Sequence, residues 1–167
     1  MTYLKYLFLF LVSASLTGCK FYGFTQPSSI KAETFQVNRI ENNAPLVEPG
    51  LEVEFQNALQ DLILDQTNYK LTNANADLVY DGEISTYRIS PTTATASNTA
   101  AQNKLTIGVK IRFYNKNNED DNLEQSFSFF YDYPGSAQLV GSQKATAHEE
   151  IIERLTQDIV NATLAKW

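Results

Sequence analysis

The sequence has few of the residues that carry most enzyme chemistry. Its 167 residues contain one cysteine, one histidine and one methionine. A single cysteine excludes an internal disulfide, and His148 alone excludes every catalytic arrangement that needs a second histidine. The chain also lacks a Gly-x-Ser-x-Gly element and a cluster of metal-ligating residues. We therefore expect no enzyme activity, no metal and no cofactor, and we expect His148 to be structural or exposed.

Positive charge and long apolar runs are also scarce. The chain has 13 Lys and Arg residues against 19 Asp and Glu residues, which gives a net charge of −6. An acidic protein is a poor partner for nucleic acid, because phosphate binding requires a basic surface. No apolar run reaches the roughly 20 residues that a membrane-spanning helix needs. The chain should therefore bind no nucleic acid and contain no permanent transmembrane helix.

The N-terminus has the pattern of a bacterial lipoprotein signal. Lys5 precedes an apolar run over residues 7–12, and small residues follow up to Gly18, as in a signal peptide. The sequence Leu16-Thr17-Gly18-Cys19 resembles the lipobox, which implies cleavage before Cys19 and acylation of its thiol. The alternative is an unpaired cysteine in an ordinary secretory signal. Two or three acyl chains would anchor the protein to a membrane almost permanently.

The residues after Cys19 indicate which membrane carries the anchor. Lys20 follows the cysteine, so the Asp that retains many lipoproteins at the inner membrane is absent, and so is the acidic run that directs others to the cell surface. We expect the protein on the periplasmic face of the outer membrane. The predicted organisation is a signal peptide over residues 1–18, a lipidated tether over 19–29 and one domain over 30–167.

Hydrophobic periodicity predicts two helices and several strands. The expected helices span 51–65 and 145–165, each with one apolar stripe. The expected strands are 30–40, a short one at 69–71, 77–90, 105–113 and 123–133. The inward phase of strand 77–90 slips by one residue near Ser85, which predicts a β-bulge. We expect an α+β fold, a two-layer sandwich in which two helices cover one face of a mostly antiparallel sheet of about four strands.

Two loops and one strand face allow competing interpretations. The acidic segment 115–122 fits a solvated hairpin turn better than a calcium loop, because its spacing and lack of glycine do not match an EF-hand. Residues 92–102 predict a long hairpin loop.

One face of the strand over 105–113 and its start is basic, since it carries Lys104, Lys110 and Arg112. Arg88 on the neighbouring strand can join them. These cations either bind the phosphates of a lipid or only keep an open sheet face soluble.

Several segments in order resemble the LPS-assembly lipoproteins of the LptE family, in the Bacteroidetes form, over nearly the whole mature chain. They are Cys19 with Tyr22 and Phe24, the Asn-Ala-Pro-Leu-Val-x-Pro segment at 43–49, Asp77-Leu78 with Gly82-Glu83-Ile84 and Tyr87, and the segments 103–107, 113–115, 131–133 and 161–167.

The resemblance implies a function and two partners. It implies a plug within the outer-membrane β-barrel LptD that assists lipopolysaccharide transport to the outer leaflet. Lys104, Lys110, Arg112 and Arg88 are then the candidate contacts for lipopolysaccharide. The alternative is a periplasmic lipoprotein that binds peptidoglycan or belongs to a secretion complex.

Overall fold

A computed structural model of the protein describes residues 30–92, 102–135 and 138–165. Cys19, the predicted signal peptide and tether, and most of the loop expected at 92–102 lie outside these residues. The elements in chain order are β1 Thr34–Val37, β2 Glu41–Asn42, α1 Leu51–Gln66, β3 Lys70–Leu71, β4 Leu78–Pro91, β5 Gln102–Asn115, β6 Leu123–Pro134 and α2 Gly141–Leu164. A short 3-10 helix, Glu119–Asp121, lies between β5 and β6.

The elements form one mixed sheet with both helices on one side. The sheet order is β3-β1-β4-β5-β6, and β2 also pairs with β4. The long ladders β4–β5 and β5–β6 are antiparallel, whereas β1, β2 and β3 make only short parallel pairings. The predicted α+β architecture is therefore confirmed.

The predicted number of about four strands is wrong, since the sheet has six strands and is mixed. The chain from β1 passes through α1 and returns in β3 beside β1, a crossover that makes these two neighbours parallel. The short strand predicted at 69–71 is confirmed as β3. β2 pairs with β4 on the same side as β1, and its two residues are too few to show an alternation.

The helices pack on the inner face of the sheet and run parallel to each other. The residue numbers in contact rise together on both sides, from Glu48, just before α1, with Lys144 to Gln66 with Gln157. Between helices and sheet lies one core, which includes Phe55 and Leu59 of α1 and Ile151 of α2. Within the residues that the structure describes, no helix has the length and apolar character needed to cross a membrane.

Two details of β4 explain its path. The register against β5 shifts between Ile84 and Thr86, which confirms the β-bulge predicted near Ser85 and returns Tyr87 to the core. At Gly82, a Cβ atom would lie 2.6 Å from the backbone carbonyl oxygen of Lys110 and 2.7 Å from the Cδ1 atom of Ile111. Glycine is required here because the backbone of β5 occupies the space that a side chain would need.

Candidate functional site

The outer sheet face, on the side away from the helices, carries all four predicted contact residues. Alternation along β5 places Leu105, Ile107, Val109, Ile111 and Phe113 in the core. Lys104, Lys110 and Arg112 occupy the intervening positions and are half-buried, and Arg88 on β4 is exposed. The strand register pairs Arg88 with Thr106. The prediction that these cations share one face is confirmed.

Three of the four cations form ion pairs with acids from neighbouring strands. The Lys104 ammonium lies 3.8 Å from an Asp132 oxygen, and Lys110 pairs with Glu124. An Arg112 guanidinium nitrogen donates to Asp81 at 3.2 Å. The outer sheet face is thus a charge-paired surface.

The pairing changes the acidity of the partners. The hydrogen bond to Asp81 raises the pKa of Arg112 above its ordinary value. The hydrogen bond from Lys110 lowers the pKa of Glu124. Both shifts favour the charged forms, so these pairs stay ionised at neutral pH.

The acidic partners were missed because each strand was interpreted separately. Asp81 lies directly opposite Arg112 on β4, and Asp132 lies opposite Lys104 on β6. Lys110 faces Ser126 and reaches diagonally to Glu124. Asp81 and Glu124 could have been found from the sequence, because each sits in the outward phase of its own strand.

Arg88 differs from the other three cations. It is exposed, and in the described part of the chain no acid forms an ion pair with it. Its row across the sheet continues through Thr106 to Phe130 on β6. Of the four predicted cations, Arg88 is therefore the one with the fewest constraints on accepting an external anion.

An aromatic pair lies where β6 forms the edge of the sheet. The Phe130 ring, 46% exposed, stacks on Phe129 with centroids 5.7 Å apart. The Lys104 ammonium lies 3.7 Å from the Phe130 centroid, and the Arg154 guanidinium lies 5.7 Å from the Phe129 centroid. Phe130 faces away from the core and adds an apolar surface next to a cation.

His148 is buried, with 6% of its surface exposed. It lies on α2 against Tyr87 of β4 and Glu54 of α1. The sequence predicts a structural or an exposed histidine, and this burial excludes the exposed alternative. The acidic segment after β5 forms the short 3-10 helix, in which the Asn118 side chain accepts a hydrogen bond from the backbone of Asp120.

The chain belongs to the α+β class of domains, with an open mixed sheet and two helices packed on one of its faces. The family model described as LptE, lipopolysaccharide-assembly, matches residues 32–163. The protein is therefore a member of the lipopolysaccharide-assembly LptE family.

Solved structures share the fold at low sequence identity. The hypothetical protein CT253 from Chlamydia trachomatis has a TM-score of 0.54 and 9% identity, over 81% of this chain and all (100%) of that chain. Uncharacterized lipoprotein B from Nitrosomonas europaea has a TM-score of 0.51 and 16% identity, over 86% of this chain and 88% of its own. Protein XCC0632 from Xanthomonas campestris has a TM-score of 0.51 and 13% identity, over 83% and 93%. No curated protein matches the chain.

Proposed function

We propose that the protein is an outer-membrane lipoprotein of lipopolysaccharide assembly, of the Bacteroidetes form of its family. A lipid on Cys19 anchors it to the periplasmic face, and the domain forms the plug of an LptD-type β-barrel. The family match over residues 32–163 is the observation that carries this proposal. The lipobox resemblance at Leu16-Thr17-Gly18-Cys19 supports the anchor.

In this proposal the outer sheet face contacts the phosphates of lipopolysaccharide. Arg88 supplies an exposed guanidinium, and Arg112 can hold a phosphate in a bidentate manner. The ion pairs of Lys104, Lys110 and Arg112 do not prevent this role. Their side chains are 31%, 39% and 35% exposed, and pairs at this exposure contribute only about 0–1 kcal/mol. A phosphate can therefore replace a carboxylate partner at little cost.

The candidate contacts are spread along the face. Lys104 and Arg112 are eight positions apart on β5, a distance of roughly 26 Å at the rise of an antiparallel strand. Lys110 lies near the Arg112 end, and Arg88 lies near the Lys104 end. The side chain of Phe130, beside Lys104, offers an apolar contact for an acyl chain at that end. One lipid molecule could thus be contacted at two successive positions along the face.

Neutralising variants test the lipid assignment. We expect Arg88→Gln combined with Arg112→Gln to weaken binding of purified protein to lipopolysaccharide vesicles by about tenfold at low ionic strength. The thermal melt should change little, because Arg88 is exposed and a pair as accessible as Arg112 with Asp81, each 35% exposed, contributes little to stability. The matched control is Lys31→Gln with Lys116→Gln, two exposed lysines that lie outside the strands of the sheet, which should bind as the parent does. Equal loss in both pairs of variants would show that only net charge matters and would reject a specific site.

Co-purification tests the barrel partner. Extraction of outer membranes in mild detergent should recover the protein with a β-barrel of LptD type. Recovery with cell-wall sacculi, and no barrel, would reject the plug and favour a peptidoglycan-binding lipoprotein. If Arg88→Gln with Arg112→Gln keeps lipopolysaccharide binding but loses the barrel, then the outer sheet face is a protein interface.

A further inference from the structure

A second surface lies between the two helices. The interhelical groove has a volume of about 990 Å³ and is lined by residues of α1, α2 and the turn before α1. Ala58 and Leu62 of α1 and Ile152 of α2 contribute apolar lining, and Leu64, also at the groove, is 43% exposed. The helices pack on the inner face of the sheet, so this groove is separate from the outer sheet face.

Carboxylates border the apolar lining on both sides. Asp61 and Asp65 come from α1, and Glu149 and Glu153 come from α2. All four are exposed, and among the described residues none of them forms an ion pair. This differs from the outer sheet face, where acids are matched by cations on adjacent strands.

One end of the groove is the exception to this excess of negative charge. There the Lys144 ammonium donates to a Glu48 carboxylate oxygen at 2.7 Å, which links α2 to the turn before α1. The unpaired acids therefore lie beyond this ion pair, towards the C-terminal ends of the two helices. The groove combines an apolar lining with an unneutralised acidic border over that part of its length.

We propose that the interhelical groove binds a basic amphipathic helix of a partner protein. Such a helix presents an apolar stripe to Leu62, Leu64 and Ile152, and its Lys or Arg residues lie on both sides of the stripe and pair with the four carboxylates. Two parallel helices on a sheet leave a groove between them, and a third helix can lie in that groove. This proposal does not depend on the proposed function of the outer sheet face.

Charge decides among the possible occupants. A second copy of this chain is acidic, with 19 Asp and Glu residues against 13 Lys and Arg residues, so it does not complement an acidic border. An anionic lipid head group would be repelled by the same carboxylates. A basic helix satisfies both the charge and the apolar lining, because each exposed ion pair adds a little affinity and directs the approach of the partner.

A synthetic probe tests the groove directly. The probe is a blocked, helix-forming peptide of leucine and lysine with leucines at helical spacing, and its binding to the intact domain is measured by fluorescence anisotropy at low ionic strength. We expect Asp61→Lys combined with Glu153→Lys to weaken binding by about tenfold or more. The matched control, Glu119→Lys with Asp120→Lys in the 3-10 helix, reverses the same number of exposed acids and should stay within about twofold of the parent.

The apolar part of the site needs its own variant. Leu64→Gln removes an apolar contact from a side chain that is 43% exposed, so the thermal melt should hardly change. We expect it to weaken binding of the leucine-lysine peptide several-fold. A second peptide, with serine in place of leucine and the same charge, should bind far more weakly.

Several results would overturn the proposal. Equal binding of the serine peptide would show that the acids only accumulate cations. An equal effect of the control pair would place the peptide elsewhere, as would a loss of binding in Arg88→Gln with Arg112→Gln. Concentration-dependent dimerisation that is abolished by Leu64→Gln would assign the groove to a second copy of the chain. A failure of the protein to bind lipopolysaccharide would not change peptide binding in the interhelical groove, so the two proposals can be judged separately.

Discussion

The hydroxyl group of Tyr87 on β4 lies 3.2 Å from the Nε2 atom of His148 on α2. The other ring nitrogen, Nδ1, lies 3.6 Å from a carboxylate oxygen of Glu54 on α1. The two aromatic rings meet edge to face, with centroids 5.8 Å apart. One imidazole therefore links the sheet to both helices.

This position makes stability depend on pH. Burial lowers the pKa of His148 below its ordinary value of 6.5, although Glu54 and Glu48 oppose the shift and Lys144 adds to it. The unfolded chain then binds the proton more readily than the folded protein does. The contribution of His148 is complete above about pH 6.5 and is lost as the pH falls through the lower folded pKa.

We expect the free energy of unfolding to decrease when the pH is lowered from about 7.5 to about 5. Urea melts at a series of pH values measure this change. In His148→Gln, which cannot gain the proton, the slope over this range should become shallower. If the variant and the parent show the same slope, other groups control the acid response.

The alternation on β5 leads to a second prediction. Ile107 and Ile111 are each 1% exposed, whereas Thr106 lies on the outer sheet face between Arg88 and Phe130. Ile107→Asp or Ile111→Asp would bury an unpaired carboxylate and should lower the free energy of unfolding by about 3–5 kcal/mol. Thr106→Asp should cost less than about 1 kcal/mol, since its new charge faces Arg88. Urea melts compare the three, and similar losses in all of them would contradict a one-sided strand.

Long periodic segments explain how much of this fold the sequence could predict. The pattern indicated α1 to within one residue at its end, with the prediction at Asp65 and the helix ending at Gln66. It also indicated the strands β4, β5 and β6 and the bulge near Ser85. Each of these elements is long enough to show which face is apolar. β2 has only two residues and shows no such pattern, whereas the short strand predicted at 69–71 is present as β3.

The start of α2 and the charge pairing could not be predicted from one element at a time. The helix begins at Gly141, before the predicted Ala145, because its first turn is largely polar and shows no apolar stripe. The ion pairs on the outer sheet face depend on register between strands. Lys110 reaches Glu124 only because the β5–β6 register sets them on a diagonal. Neither strand alone contains that information.

A carboxylate also links two neighbouring strands, β1 and β4. One oxygen of Asp77, just before β4, accepts hydrogen bonds from the backbone amides of Glu33 and Thr34 at 2.9 and 3.0 Å. The Thr34 hydroxyl also donates to it at 3.0 Å. These bonds hold β1 against the start of β4 and lower the pKa of Asp77 below 3.8.

We therefore expect Asp77→Ala to reduce the free energy of unfolding by about 1–3 kcal/mol at neutral pH. Asp77→Asn keeps an acceptor oxygen and should lose less. The lowered pKa means that the carboxylate stabilises the fold above about pH 4 and that this contribution disappears as the pH falls through the folded value. A denaturant series on both variants measures the losses. An Asp77→Asn loss as large as that of Asp77→Ala would mean that the negative charge, and not the acceptor, is what β1 requires.

The last prediction concerns the lipid anchor and its independence from the fold. The described domain begins at Ile30, which is 6% exposed and whose carbonyl oxygen accepts a hydrogen bond from the Tyr69 hydroxyl at 2.7 Å. Ile30 is thus part of the described core, which extends to Leu164. We expect Cys19→Ser to abolish labelling by palmitate and to leave the signal peptide uncut, while the thermal melt of the domain stays within about 1 °C of the parent, because the two helices and the sheet are built from residues after the tether. Globomycin blocks the lipoprotein signal peptidase, so it should likewise cause uncut precursor to accumulate in cells that express the parent. It should have no further effect on Cys19→Ser.

Palmitate that still labels the variant would place the lipid on another residue, and a lower melting temperature would show that the cysteine takes part in folding.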